Sequence, residues 1–215
     1  MAWTIQIKSD STHKDYLNIK IQKQSFKGIV CNSKFFEALI NGYCSESTYT
    51  KSDDDVYRLL GRFEKVTGTF NIGGKQLTFS TDDILLIFGI KSSNVPMEIG
   101  RGNKLVNSPF VDRRFPDVDR LSKTILEDKL NEALEGKKKD SEDAACILVL
   151  LACLTLFIST TGTTIGWTYI AHVETFEGMN SYMWCEEIRL FLMSLVEKMS
   201  KKPQKVTGCV VALLV

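Results

Sequence analysis

One stretch limits the folds open to this chain more than any other. From Ala144 to Ile158 the sequence reads AACILVLLACLTLFI, apolar throughout except for Thr155. A membrane-spanning helix needs about 20 such residues, and the run falls short of that. Asp140, Glu142 and Asp143 crowd its entrance, and no basic cluster follows the Ser159–Thr164 stretch to anchor an exit. A helix apolar on every side is also what the centre of a helical domain requires. The run therefore predicts a central core helix, with a membrane span as the lesser reading. Composition agrees: 44% hydrophobic and 25% charged residues over 215 positions suit a chain that buries a core of ordinary size.

Around this helix the patterning predicts a mainly α fold, a single helical domain with a small β-hairpin, α+β at most. Residues 1–16 form a lead in which Trp3, Ile5 and Ile7 alternate as in a short strand, and residues 17–215 form the domain. Leu17, Ile19 and Ile21 alternate again, and Ser33 caps a helix carrying Phe35, Phe36, Leu39 and Ile40. Asp53 to Asp55 begin a second helix whose face is Val56, Leu59, Leu60 and Phe63. A hairpin with Gly73-Gly74 at its turn follows, and then a helix from Asp82 to Phe88 that Ser80 or Thr81 caps and Gly89 stops.

Residues 90–116, with Pro96, Pro109 and Pro116, read as a long loop. Asp117 opens a helix with Val118, Leu121, Ile125, Leu130 and Leu134 as its stripe. Lys137 to Lys139 read as a solvated loop, and Ser141 as the cap of the central helix. Asn180 or Ser181 starts a last amphipathic helix containing Trp184, Ile188, Phe191, Leu192, Leu195, Val196 and Met199, which Pro203 breaks. The closing GCVVALLV, apolar to its end, predicts either a buried end or a chain cut from a longer one, the second being the preferred reading.

Chemistry is sparse. Six cysteines contain no Cys-x-x-Cys pair, and the pattern suits free thiols in a reducing, intracellular compartment. The glycines of GTFNIGGKQ do not keep phosphate-loop spacing, and Gln76 stands where a magnesium-binding hydroxyl is needed. Of the two histidines, His13 lies in the polar lead and His172 on an aromatic-rich face, and no oxyanion site can be located for a His172–Cys185 pair. No four Cys or His residues keep zinc spacing, and the carboxylate clusters sit where helix starts want them. The expectation is no catalytic residue, no metal and no cofactor. Nucleic-acid binding is the alternative, and its candidates are Arg58, Arg62, Lys75, Arg101, Lys104, Arg113 and Arg114. With a net charge of +1, the molecule as a whole exerts no pull toward phosphate.

Several segments together carry a family resemblance. They are FKGIVCNSKFFEALING (26–42), DDDVYRLLGRF (53–63), GTFNIGGKQLTFSTDDILLIFGI (68–90), the apolar 144–158 run, MNSYMWCEEIRLFLMSLVEKM (179–199) and GCVVALLV (208–215). The chain resembles the plant mobile domain, also called the aminotransferase-like plant mobile domain, and the related region preceding Ulp-type protease domains in plant transposon-derived proteins. Leu77, Thr78, Phe79, Asp82, Asp83 and Gly89 match that family's strand-to-helix step. The resemblance implies a helical, nuclear plant protein of transposon ancestry, linked to gene silencing or genome maintenance. Neither transaminase nor protease activity follows from it. The expected role is a non-catalytic structural or protein-interaction domain with unidentified protein partners, the nucleic-acid module being the alternative.

Overall fold

The structure, a computed structural model, describes residues 2–8, 18–25, 53–90, 93–100, 102–135, 138–159, 163–175, 178–201 and 209–214. At the start, β1 (Ala2–Lys8) and β2 (Asn18–Ser25) pair antiparallel, with Ile5 opposite Ile21 and Ile7 opposite Ile19. This pairing crosses the boundary drawn at residue 16 and joins the lead to the strand beyond it. The helix expected after Ser33 lies outside the described residues.

Helix α1 (Asp53–Leu60) buries Val56 and Leu60, as its spacing predicts, but ends before Phe63. The turn bonds Gly61 N–H to Tyr57 O at 3.0 Å and Arg62 N–H to Leu59 O at 2.9 Å close it. Phe63 instead starts the three-stranded antiparallel sheet β3 (Phe63–Glu64), β4 (Thr69–Ile72) and β5 (Lys75–Leu77), and its ring lies 5.2 Å from that of Phe70. The β4–β5 turn places Gly73 at φ 59° and Gly74 at φ 77°. This left-handed pair matches the twist of a tight hairpin and strains any side-chain-bearing residue but Asn or Asp.

Helix α2 (Thr81–Phe88) has both ends written in sequence. The Ser80 hydroxyl accepts from Asp83 N–H at 3.3 Å, while the Asp83 carboxylate accepts from Ser80 N–H at 2.6 Å. Gly89, at φ 65°, donates its N–H to Leu85 O and ends the helix.

The 90–116 segment departs from the expectation of a plain loop. It contains α3 (Pro109–Arg114), capped by the Ser108 hydroxyl, which accepts from Val111 N–H at 3.2 Å. Proline at the first helical position forfeits no hydrogen bond and presets φ, so Pro109 starts a helix here where it reads as a breaker. Phe110, Val111 and Phe115 are buried. Next, α4 (Lys123–Leu134) begins at Lys123 rather than Asp117, because the Ser122 hydroxyl accepts from Ile125 N–H and sets the cap. Leu121 leaves the expected stripe to join β6 (Leu121–Ser122), which pairs with β7 (Thr164–Ile165).

The central helix α5 (Lys138–Ala152) starts ahead of Ser141, so Lys138 and Lys139 are helical, not loop. Its last apolar turn, Cys153–Phe157, widens to a π-helix in which Ile158 N–H reaches Cys153 O at 2.9 Å. The extra residue carries Phe157 onto the edge of Phe88, 5.3 Å away. After α6 (Thr168–Val173) and a 3₁₀ turn at Gly178–Ser181, α7 (Trp184–Lys201) buries Trp184, Ile188, Leu192, Val196 and Met199. The indole N–H of Trp184 donates to Met179 O at 2.7 Å. At the final 3₁₀ turn, Val210–Leu214, the side chains of Val210 and Ala212 are buried, as is Cys209 just before it.

The described fold is thus mixed α+β and mainly helical, and one hydrophobic cluster extends from Val56 to Ala212. Among the described residues, no helix is long and apolar enough to cross a membrane.

Candidate functional site

The densest polar cluster joins α3 to the first turns of α5. Arg113 grips Asp143 with two bonds, Nε to Oδ2 at 2.7 Å and Nη2 to Oδ1 at 2.6 Å. Arg114 donates Nε to the same Oδ2 at 2.6 Å and its Nη2 to Asp140. Asp143 and Arg114 are buried, their side chains 6% and 9% exposed. Burial alone would raise the Asp143 pKa, but hydrogen bonds from the two guanidinium groups outweigh it and hold the carboxyl below its usual range. The cluster therefore pairs two cations with two anions. Charges this deep are tolerated only when matched and hydrogen-bonded. Asp140 and Asp143, one helical turn apart, read in sequence as guards of the helix entrance; their spacing puts both on one helix face, and that is the signal that could have found the cluster.

His172 forms the second polar feature. Its Nδ1 lies 2.9 Å from Thr168 O, one turn back on α6, and its Nε2 accepts from Glu98 N–H at 3.1 Å. The ring is thus neutral, protonated on Nδ1, with both nitrogens engaged by backbone. Burial lowers its pKa, only partly offset by the Thr168 carbonyl and the Glu98 charge. Tyr182 stands edge-on to it, ring centroids 4.7 Å apart. The Cys185 thiol donates instead to Ile90 O at 3.3 Å.

Cys146, Cys153, Cys185 and Cys209 are free and buried. Burial pushes Cys146 and Cys209 up to about 12 and Cys185 to about 11, and raises Cys153 further. Thiols so far from ionising are poor nucleophiles and poor metal ligands. Among the described residues, no group of three or more His, Cys, Asp or Glu side chains could hold a metal ion.

The basic residues named as nucleic-acid candidates fall into separate places. Arg113 and Arg114 converge on Asp143. Lys104 donates to Pro116 O at 2.5 Å and lies 5.5 Å from the centre of the Trp167 ring. Arg58, near the end of α1, is exposed and 3.8 Å from Asp55. Arg62 and Lys75 are exposed, flanking the two edge strands of the small sheet at the end near Ile72, and Arg101 lies outside the described residues. Glu98 and Thr168, which anchor the 93–100 segment, carried no sequence signal, since their partners are 74 and 68 residues away.

Fold and clusters together define a mainly helical α+β domain whose buried charges are matched internally. A family model described as a domain of unknown function, DUF8566, matches residues 50–214, and the chain belongs to that family. No curated protein and no solved structure matches it.

Proposed function

We propose that this protein is a non-catalytic, intracellular interaction domain that binds a protein partner through the outer end of its small sheet, and that it is akin to the nuclear plant mobile domains of transposon ancestry. The observation that carries the reading is a cross-strand row. Phe63, Phe70 and Leu77 lie opposite one another on β3, β4 and β5, so they share one face, and Ile72 extends it two residues along β4. Phe70 anchors the row in the core at 4% exposure, while Ile72 and Leu77 are 43% and 46% exposed. The turn residue Val66 is 92% exposed. An apolar row that begins in the core and runs out into solvent on an edge strand suits the addition of a partner's extended segment. The single-domain organisation is part of the same proposal and is supported by the continuous cluster from Val56 to Ala212.

A photo-crosslinking residue at position 77 of the full chain, expressed in plant cells, tests this. The expected result is a discrete adduct that protease destroys and nuclease does not, lost on Ile72→Glu. A nuclease-sensitive adduct would favour the nucleic-acid reading through Arg62 and Lys75, and no adduct at all would sink both.

A further inference from the structure

We propose that His172 is a proton-operated latch: neutral, it holds the 93–100 segment down on α6, and protonated, it lets that segment go. The segment is strapped at three points. Val95 pairs with the chain around Tyr182, its N–H donating to Ser181 O at 3.2 Å and its carbonyl accepting from Met183 N–H at 2.8 Å. The middle tie is Glu98 N–H on His172 Nε2. At the far end Thr168 Oγ1 donates to Gly100 O at 2.5 Å and lies 3.1 Å from Gly100 N.

Only the middle tie involves a group that gains a proton near neutral pH. With Nδ1–H committed to Thr168 O, an added proton must go to Nε2, where it meets the Glu98 N–H head-on. Two donors cannot share that bond, so the strap has to move away at Glu98. Among the described residues, these groups bear on the ring. Glu98 on the strap is the charge that acts on it, and Tyr182 is the titratable ring against it. The 3₁₀ turn Gly178–Ser181 has no titratable side chain. The Cys153 thiol of the π-turn and Glu187 of α7 act on Tyr169, three residues before His172 on α6, and Glu174 follows on the helix's own end.

The sign is set by burial. Closed, His172 has a pKa below its ordinary 6.5. The tie therefore contributes fully above that value and is lost as pH falls through the lower, closed-state pKa.

Nuclear magnetic resonance on the full chain, from about pH 8 down to about pH 5, tests the latch. It follows the His172 ring signals together with the exchange protection of the Glu98 and Gly100 amides, corrected for intrinsic exchange. The expected result is a fall in both protections of roughly fivefold or more, the change one lost hydrogen bond produces, in step with His172 protonation. His172→Gln, whose side-chain oxygen accepts but does not titrate, is expected to keep protection flat. Protection that ignores His172 titration, or a ring that stays neutral until the whole chain unfolds, overturns the proposal; should His172→Gln fail to fold, the titration of the unaltered chain decides alone.

Discussion

Asp143 receives two guanidinium groups while almost sealed from solvent, so its loss takes the carboxylate from Arg113 and leaves Arg114 with Asp140 alone. Breaking a buried pair from one side costs about 3 kcal/mol or more, and Asp143→Asn is expected to lower unfolding free energy by about that much in a denaturant titration. The same carboxyl makes stability sensitive to acid. Its folded pKa is depressed, so its contribution is whole above the ordinary value of 3.8 and fades as pH falls through the folded one. Asp143→Asn should remove that part of the acid transition, which melting curves below about pH 4 will show. Gly102 sets a second residue-scale test. At φ 52° its added methyl would overlap Thr168 Cγ2, so Gly102→Ala is expected to cost about 1–3 kcal/mol, read from the urea midpoint. In sequence the spacing of Asp140 and Asp143 marks a shared helix face but not the arginines, which are 29 and 30 positions from Asp143, and nothing near Gly102 names Thr168.

Helix α2 is the element most legible in the chain, because its start and stop are both local. Ser80, Asp83 and Gly89 make bonds within three or four residues, and local bonds are what sequence reading detects. Ser80→Ala should destabilise by about 1 kcal/mol, measured by chemical denaturation. The β4–β5 turn was legible for the same reason. Helix α3 was not: Pro109 is a breaker in one position and a starter in the next, and only the buried Phe110 and Val111 decide which. Similarly, α4 has two plausible caps, Asp117 and Ser122, and the pairing of Leu121 with Ile165 across the molecule selects the later one. The π-turn at 153–157 was invisible because a helix apolar all round shows no change of face when its register slips. As for the candidate site, the basic residues could be named from sequence, but their distribution among an internal cluster, an aromatic face and open surface depends on tertiary pairing.

For the molecule as a whole, a single cluster links α1 with the final 3₁₀ turn, which makes the thiols a gauge of global integrity. Cys146, Cys153, Cys185 and Cys209 should resist alkylation in the native state and become modified together at the unfolding midpoint, as pulse labelling with mass analysis will reveal. The family match over residues 50–214 covers that core and leaves the β1–β2 pair outside it. Two of the three indoles provide an optical counterpart. Trp167, beneath the Lys104 ammonium and edge-on to Phe115, and Trp184, its N–H bound to Met179 O, are both withdrawn from water. Light emitted from such rings is blue-shifted, and it moves to longer wavelength when water reaches them. The native protein thus carries its own dye at the head of α6 and the head of α7, so loosening of either can be watched by fluorescence without attaching a label.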